Sequence, residues 1–244
     1  MRNIWIIAKR EFCGYFATPV ALVFIVIFLA LTGAFAFYVG GFFTRGSADL
    51  TSFFAYHPWL FLLLVPAIGM RLWSEERKSG TIELLMTLPI STVDAVFGKF
   101  LAAWAFCGLA LALTFPMWIT VNVLGSPDNG VIVASYIGSF VMAGAFLSIS
   151  ACISSMTKNQ VIAFIIAATV CFLFTMSGAQ MVLNFFEGWT PDVLMEALRS
   201  MSFLTHFDAV TRGVIDLKDV VFFGSLIVLW LFLNIISVEL NKGR

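Results

Sequence analysis

The chain has 244 residues, 61% hydrophobic and 11% charged, with a mean hydropathy of +0.99 and no net charge. A soluble domain of this length carries roughly 25% charged residues, so the composition places the chain in the membrane class. A neutral chain has no field to gather polyanions, and no nucleic-acid partner is expected.

The first element lies within residues 1–18. Ile4, Ile7, Ala8, Phe12 and Tyr15 fall near one helical face, with Lys9 and Arg10 elsewhere. This is the pattern of an amphipathic helix along a membrane interface. A plain juxtamembrane extension is the blander reading. No cleavable signal peptide is evident, so the first span is expected to stay in the protein.

Six apolar runs follow, at 20–41, 54–73, 100–124, 131–155, 161–181 and 220–240. A helix needs ~20 mainly apolar residues to cross the hydrocarbon core, and in lipid its backbone must be satisfied internally. The runs are too long and too uniform for barrel strands. The expected fold is therefore an all-α integral membrane domain over 1–244 with six transmembrane helices. With six crossings both termini share one side. That side receives Arg2, Lys9, Arg10, Arg71, Arg77, Lys78, Lys99, Lys158, Lys242 and Arg244, against Arg45, Arg199, Arg212 and Lys218 on the other. The bias puts both termini in the cytoplasm.

Between the second and third runs lies a charged island at 75–90. Glu75, Glu76, Arg77 and Lys78 keep it in water. Gly80 can act as a helix N-cap, with Thr81 after it and Glu83 placed to bond back to the orphan amides. Ile82, Leu85 and Met86 supply apolar knobs, and Pro89 ends the short helix. Ser91 and Asp94 resemble the start of the next helix, running through Lys99. An ordinary charged loop is the bland alternative. Against it, apolar side chains on a helix in water want a partner.

In the fourth run Gly144, Ser148 and Cys152 recur at four-residue spacing, which lets another helix approach closely. The segment 182–219 is too long for a turn. Thr190 and Pro191 form a helix start, followed by the apolar stripe Leu194, Ala197, Leu198 and Met201. Asp216 and Asp219 precede the last run, where carboxylates favour a helix N-terminus. Cys13, Cys107, Cys152 and Cys171 show no CxxC spacing and read as small hydrophobes. His57 and His206 fall near the outer interface and read as structural. Thr114, Asn122, Thr169, Thr175, Gln180 and Asn234 are expected to bond between helices; lining a substrate path is the alternative.

Missing chemistry narrows the function. No GxxxxGK[ST] phosphate loop, HExxH or GxSxG occurs, so no hydrolysis by this chain alone is expected. No ionisable residue falls near a bilayer midplane, which argues against a cation-coupled transporter or an ion channel.

The run Glu76-Arg77-Lys78-x-Gly80-Thr81-x-Glu83-Leu84-Leu85-x-x-x-Pro89-Ile90, followed by Lys99, resembles the signature of ABC-2 type permeases. The amphipathic N-terminal helix, six spans and hydrophobic external segment before the sixth fit the same family. Ser202-Phe203-Leu204-x-His206-Phe207 with Arg212-Gly213-Val214-Ile215-Asp216 is similar to the gliding-motility and nitrous-oxide-reductase-maturation permeases. The resemblance implies that 80–88 is a coupling helix docking in a separate nucleotide-binding ATPase. The docking residues would be Glu75, Glu76, Arg77, Lys78, Gly80, Thr81, Ile82, Glu83, Leu84, Leu85, Met86 and Pro89. It also implies a second permease copy or homologous permease, a bacterial inner-membrane location, and ATP and Mg held by the partner rather than by this chain. Two outputs are open: substrate export, or mechanotransmission to a periplasmic auxiliary subunit without transport.

Overall fold

The computed structural model describes residues 2–17, 19–46, 48–82, 90–186, 192–214 and 216–241. Among them no strand occurs. In chain order the helices are α1 (Arg2–Phe16), α2 (Pro19–Ala34), α3 (Thr51–Ala55), α4 (His57–Gly69), α5 (Arg71–Ser79), α6 (Thr92–Ala112), α7 (Phe115–Leu124), α8 (Asn129–Met156), α9 (Gln160–Met176), α10 (Gln180–Phe186), α11 (Asp192–Ser200), α12 (Phe203–Thr211) and α13 (Leu217–Leu240). A π-helical turn, Phe35–Val39, extends α2.

Side chains set several helix starts by accepting orphan amides. Ser91 Oγ accepts from Asp94 N–H at 3.0 Å to open α6, as the sequence suggested. Asp128 Oδ1 takes the amides of Gly130 and Val131 at the head of α8. Asn159 does the same for Val161 and Ile162 at α9.

Among the described residues, four helices are long and apolar enough to cross a membrane: Ala21–Val39, Thr92–Leu124, Asn129–Met156 and Leu217–Leu240. The run expected at 161–181 is helical over Gln160–Met176, 17 residues. The run expected at 54–73 is not one helix. Pro58 starts α4 afresh at His57, Pro66 lies inside it, and α4 stops after 13 residues. A proline lacks the amide for the helical ladder and crowds the preceding turn. The run expected at 100–124 begins earlier than expected, at Thr92, and turns at Leu113 and Thr114 before Pro116.

Helix α8 is the hub. It packs against α4, α5, α6, α9, α12 and α13, and most of its side chains are buried. Gly144 permits this, because a Cβ there would come within 2.9 Å of the Trp104 indole on α6 and 3.2 Å of Ile227 on α13. Trp104 stacks on Phe140 at 4.6 Å and donates its indole N–H to the Phe140 carbonyl at 2.8 Å.

Helix α1 lies against α6. Ile7 and Ala8 are buried there, and Tyr15 stacks on Phe106 at 5.0 Å. Its expected apolar face is therefore spent on the protein, while Trp5, Ile6 and Phe16 remain exposed to the surroundings. Such a helix is both docked and amphipathic.

Candidate functional site

Helix α5 carries the first half of the charged island out from α4. The two meet at Met70, and the junction is closed by a residue 84 positions later. Ser154 Oγ, fully buried on α8, donates to the Met70 carbonyl at 2.6 Å and accepts the amides of Trp73 and Ser74 at 3.1 Å each. A hydroxyl has one donor and two acceptor sites, and all three are used. Ser154 thus caps α5 in trans, doing for its first turn what an N-cap does locally. One turn earlier, Gly69 allows the approach: a Cβ on it would lie 2.3 Å from the Ser150 Cβ. One turn later, Arg77 donates to the Ser155 carbonyl at the end of α8. Ser155 Oγ in turn lies 2.8 Å from Ser237 Oγ on α13.

The second feature is a buried cation. Lys99 on α6 has a side chain only 3% exposed. Its Nζ lies 2.7 Å from Glu76 Oε1 on α5, 3.4 Å from Glu11 Oε2 on α1 and 5.4 Å from the Trp73 ring centre. A buried ammonium is tolerated only when paired, and here two carboxylates and an aromatic face surround it. Burial would push the Glu11 carboxyl up, but Lys99 and Arg10 together hold it below the ordinary glutamate value. The second carboxylate oxygen of Glu76 is buried with no hydrogen-bond partner among the described residues.

The expected docking residues divide accordingly. Glu76 turns inward to Lys99 and Arg77 to α8. Glu75 is half exposed and pairs with Arg71 one turn back, at 3.0 Å. Lys78, Gly80 and Thr81 are exposed. Gly80 is not an N-cap. Its φ of +74° is left-handed, which stops α5 as a C-cap, the conformation glycine adopts most readily. Helical geometry resumes at Thr81 and Ile82. Ile82 is half-buried and packs on the core of its own chain rather than standing free. Glu83, Leu84, Leu85, Met86 and Pro89 lie outside the described residues.

At the opposite end a second knot ties α11, α12 and α13. His206 Nδ1 lies 2.6 Å from Asp219 Oδ1 and Nε2 lies 2.9 Å from the Ser200 carbonyl, with Phe222 stacked on the ring at 4.0 Å. Asp219 is buried in the first turn of α13, while Asp216 beside it makes no capping bond and pairs with Lys218. The expected helix after 190 is present as α11, though Thr190 and Pro191 lie outside the described residues. His57 is not at a surface. It is fully buried among Phe28, Phe53, Phe54 and Phe61, with Nδ1 2.9 Å from Ser139 Oγ.

Of the polar residues expected to bond between helices, Thr114 reaches Tyr136 at 2.9 Å and Asn122 reaches Asn129. Thr169, Thr175 and Gln180 instead bond within their own helices. Short hydroxyls on a helix readily return to the i−4 carbonyl. Both polar atoms of buried Asn234 lack a partner among the described residues. No group of three or more His, Cys, Asp or Glu suited to a metal is present among them.

Sequence reasoning missed Glu11 and Ser154. Glu11 is one acid on an interfacial helix, and Ser154 one of several serines on α8. Lys99 did give a signal: a lone cation between Phe97 and Phe100 at the start of an apolar helix.

A search of curated proteins finds no match. The description "ABC-2 family transporter protein" belongs to a family model that matches residues 5–238. Nearly the whole chain is covered, helix hub and both knots included, and the protein belongs to the ABC-2 transporter family: a multi-pass membrane subunit of an ABC transporter, associated with an ABC ATPase and not itself catalytic.

Proposed function

We propose that this chain is the permease that couples ATP hydrolysis by a separate nucleotide-binding subunit to export of a substrate across the bacterial inner membrane. The segment 80–88 docks in the ATPase, both termini lie in the cytoplasm, and the runs at 54–73 and 161–181 complete six crossings. A second permease copy or homologous permease completes the unit. ATP and Mg reside on the ATPase.

The Lys99 knot carries this reading. The island's inner half is fixed to α1 and α6 through Glu76, Lys99 and Glu11, and to α8 through Arg77 and Ser154. A displacement delivered at 80–88 therefore passes from α5 to three further helices through charged or capped contacts rather than through a slack loop. An ordinary charged loop would need no such anchoring.

Mechanotransmission is the second reading, and the far segment favours it. Val193 and Leu217 there are 81% and 79% exposed, offering apolar contacts to a periplasmic auxiliary subunit.

Co-purification of the tagged chain in mild detergent tests both. An ATPase with a phosphate loop should co-purify, and Glu83→Ala or Leu85→Asp should uncouple it while the chain still inserts. Retention of wild-type binding and coupled activity in both variants would remove 80–88 as the docking segment. An additional periplasmic subunit in the complex moves the output to mechanotransmission. For orientation, a cysteine at Ser79 should be shielded from an impermeant reagent in intact cells and one at Ser47 labelled.

A further inference from the structure

Two hollows meet beside α1. The first, bordered by α1, α2, α4 and α6, has a volume of about 420 Å³ and apolar walls that include Phe24, Ile27, Leu64 and Ile68. The second, bordered by α1, α5 and α6, has a volume of about 290 Å³ and is lined by Glu11, Glu75, Glu76 and Lys99. Tyr15 and Arg71 line both, so they stand where the apolar hollow gives way to the polar one.

The chemistry changes in a fixed order along this path: hydrocarbon walls, then a guanidinium, then an acidic chamber. Beyond Arg71 the chamber holds three carboxylates against one lysine. One carboxylate oxygen, Glu76 Oε2, is buried and lacks a partner among the described residues. An unpaired buried acceptor costs free energy, and a donor that reaches it is rewarded. Arg71 pairs with Glu75 through Nε at 3.0 Å and Nη2 at 3.3 Å, in a pair that is half exposed on the acid side. Such pairs are weak, and a guanidinium fork accepts a second oxyanion readily.

We propose that the joined hollows bind a phospholipid whose headgroup ends in a primary ammonium. Its acyl chain lies in the apolar hollow, its phosphate meets Arg71 at the neck, and its ammonium enters the acidic chamber. That ammonium brings three N–H donors to a chamber whose three carboxylates, Glu11, Glu75 and Glu76, face a single lysine. A choline head has no N–H to give, and a glycerol head brings no cation for the acidic chamber. The proposal rests on α1 lying at the membrane interface, which sets the neck at headgroup depth, and not on which leaflet that is.

The test uses the full chain in phosphatidylcholine nanodiscs doped with one of three probes. All three carry the same photoreactive acyl chain, on phosphatidylethanolamine, phosphatidylcholine or phosphatidylglycerol. The ethanolamine probe should label peptides of α2 and α4 severalfold more than either of the others, and unlabelled phosphatidylethanolamine should compete. Glu75→Gln should shrink that preference without changing the thermal melt, since Glu75 is half exposed. Leu64→Trp should lower labelling of α4 by all three probes. Equal labelling by the three heads in the wild-type chain would mean annular lipid only and overturn the proposal. A preference for the glycerol head would overturn the ammonium assignment, and an unchanged preference in E75Q would remove the acidic chamber from recognition. No ATPase is present in this assay, so its failure leaves the docking of 80–88 untouched, and the converse holds.

Discussion

At the island end one lysine holds three helices together; at the far end one histidine does. Lys99 spans α1, α5 and α6 with an ammonium that offers three donors to two carboxylates. His206 spans α11, α12 and α13, but both of its nitrogens face acceptors, Asp219 and the Ser200 carbonyl. The island end is thus tied by an ammonium set between two carboxylates, and the far end by one imidazole set between a carboxylate and a backbone carbonyl. The tie with more charged partners suits the end that is proposed to receive a mechanical input. The far end can be loosened without disturbing it.

Removing the cation is the most damaging way to challenge this contrast. Lys99→Met leaves Glu11 and Glu76 facing each other without compensation. Breaking a buried ion pair costs roughly 3–5 kcal/mol, and less here because each carboxylate keeps about a fifth of its surface exposed. The melting temperature in detergent should fall sharply, with K99R restoring part of it. A K99M melt equal to wild type would mean the knot is incidental. Ser154→Ala comes next. It orphans the Trp73 and Ser74 amides and leaves the Met70 carbonyl to Ser74 Oγ alone, a loss of roughly 2–3 kcal/mol, and hydrogen exchange should rise over 71–79 but not over 203–211. At the far end, His206→Gln keeps one donor and loses the charge-assisted bond, at about 1.5 kcal/mol. Proteolysis should then quicken within 192–219 while the island end is unaffected; equal loosening of both ends would dissolve the comparison. Smallest is the pH effect of Glu11. Its folded value is lowered, so its contribution is present above the ordinary glutamate value of 4.5 and is lost as pH falls through the depressed one. Glu11→Gln should flatten that part of the acid-side stability curve.

Much of the fold could be read from the chain because lipid imposes a blunt rule: long apolar runs become helices. That rule found α2, α6 with α7, α8 and α13. It misjudged 54–73, where hydropathy is uniform but Pro58 and Pro66 divide the backbone. Local punctuation found Ser91 as a cap and found the discontinuity at Gly80, yet it reversed the sense of Gly80, since a glycine between two helices can close one or open the other. The knots were out of reach for a different reason. Glu11, Glu76 and Lys99 are far apart in the chain, and nothing in their neighbours encodes that they meet. The hydroxyl of Ser154 carries no mark that separates it from Ser148 or Ser150, which bond back to their own helix.

The cap that Ser154 places on α5 has a consequence for the order in which the molecule is made. Residues 71–79 leave the ribosome some eighty residues before Ser154 does. Until α8 has been synthesised and inserted, the first turn of α5 has no hydroxyl to close it, and Met70 has no donor from outside its own segment. The piece of chain that the finished protein holds most firmly at its island end is, during biogenesis, among the last to be secured. A nascent chain arrested before residue 154 should therefore display this segment open to proteases and chaperones that the completed protein excludes.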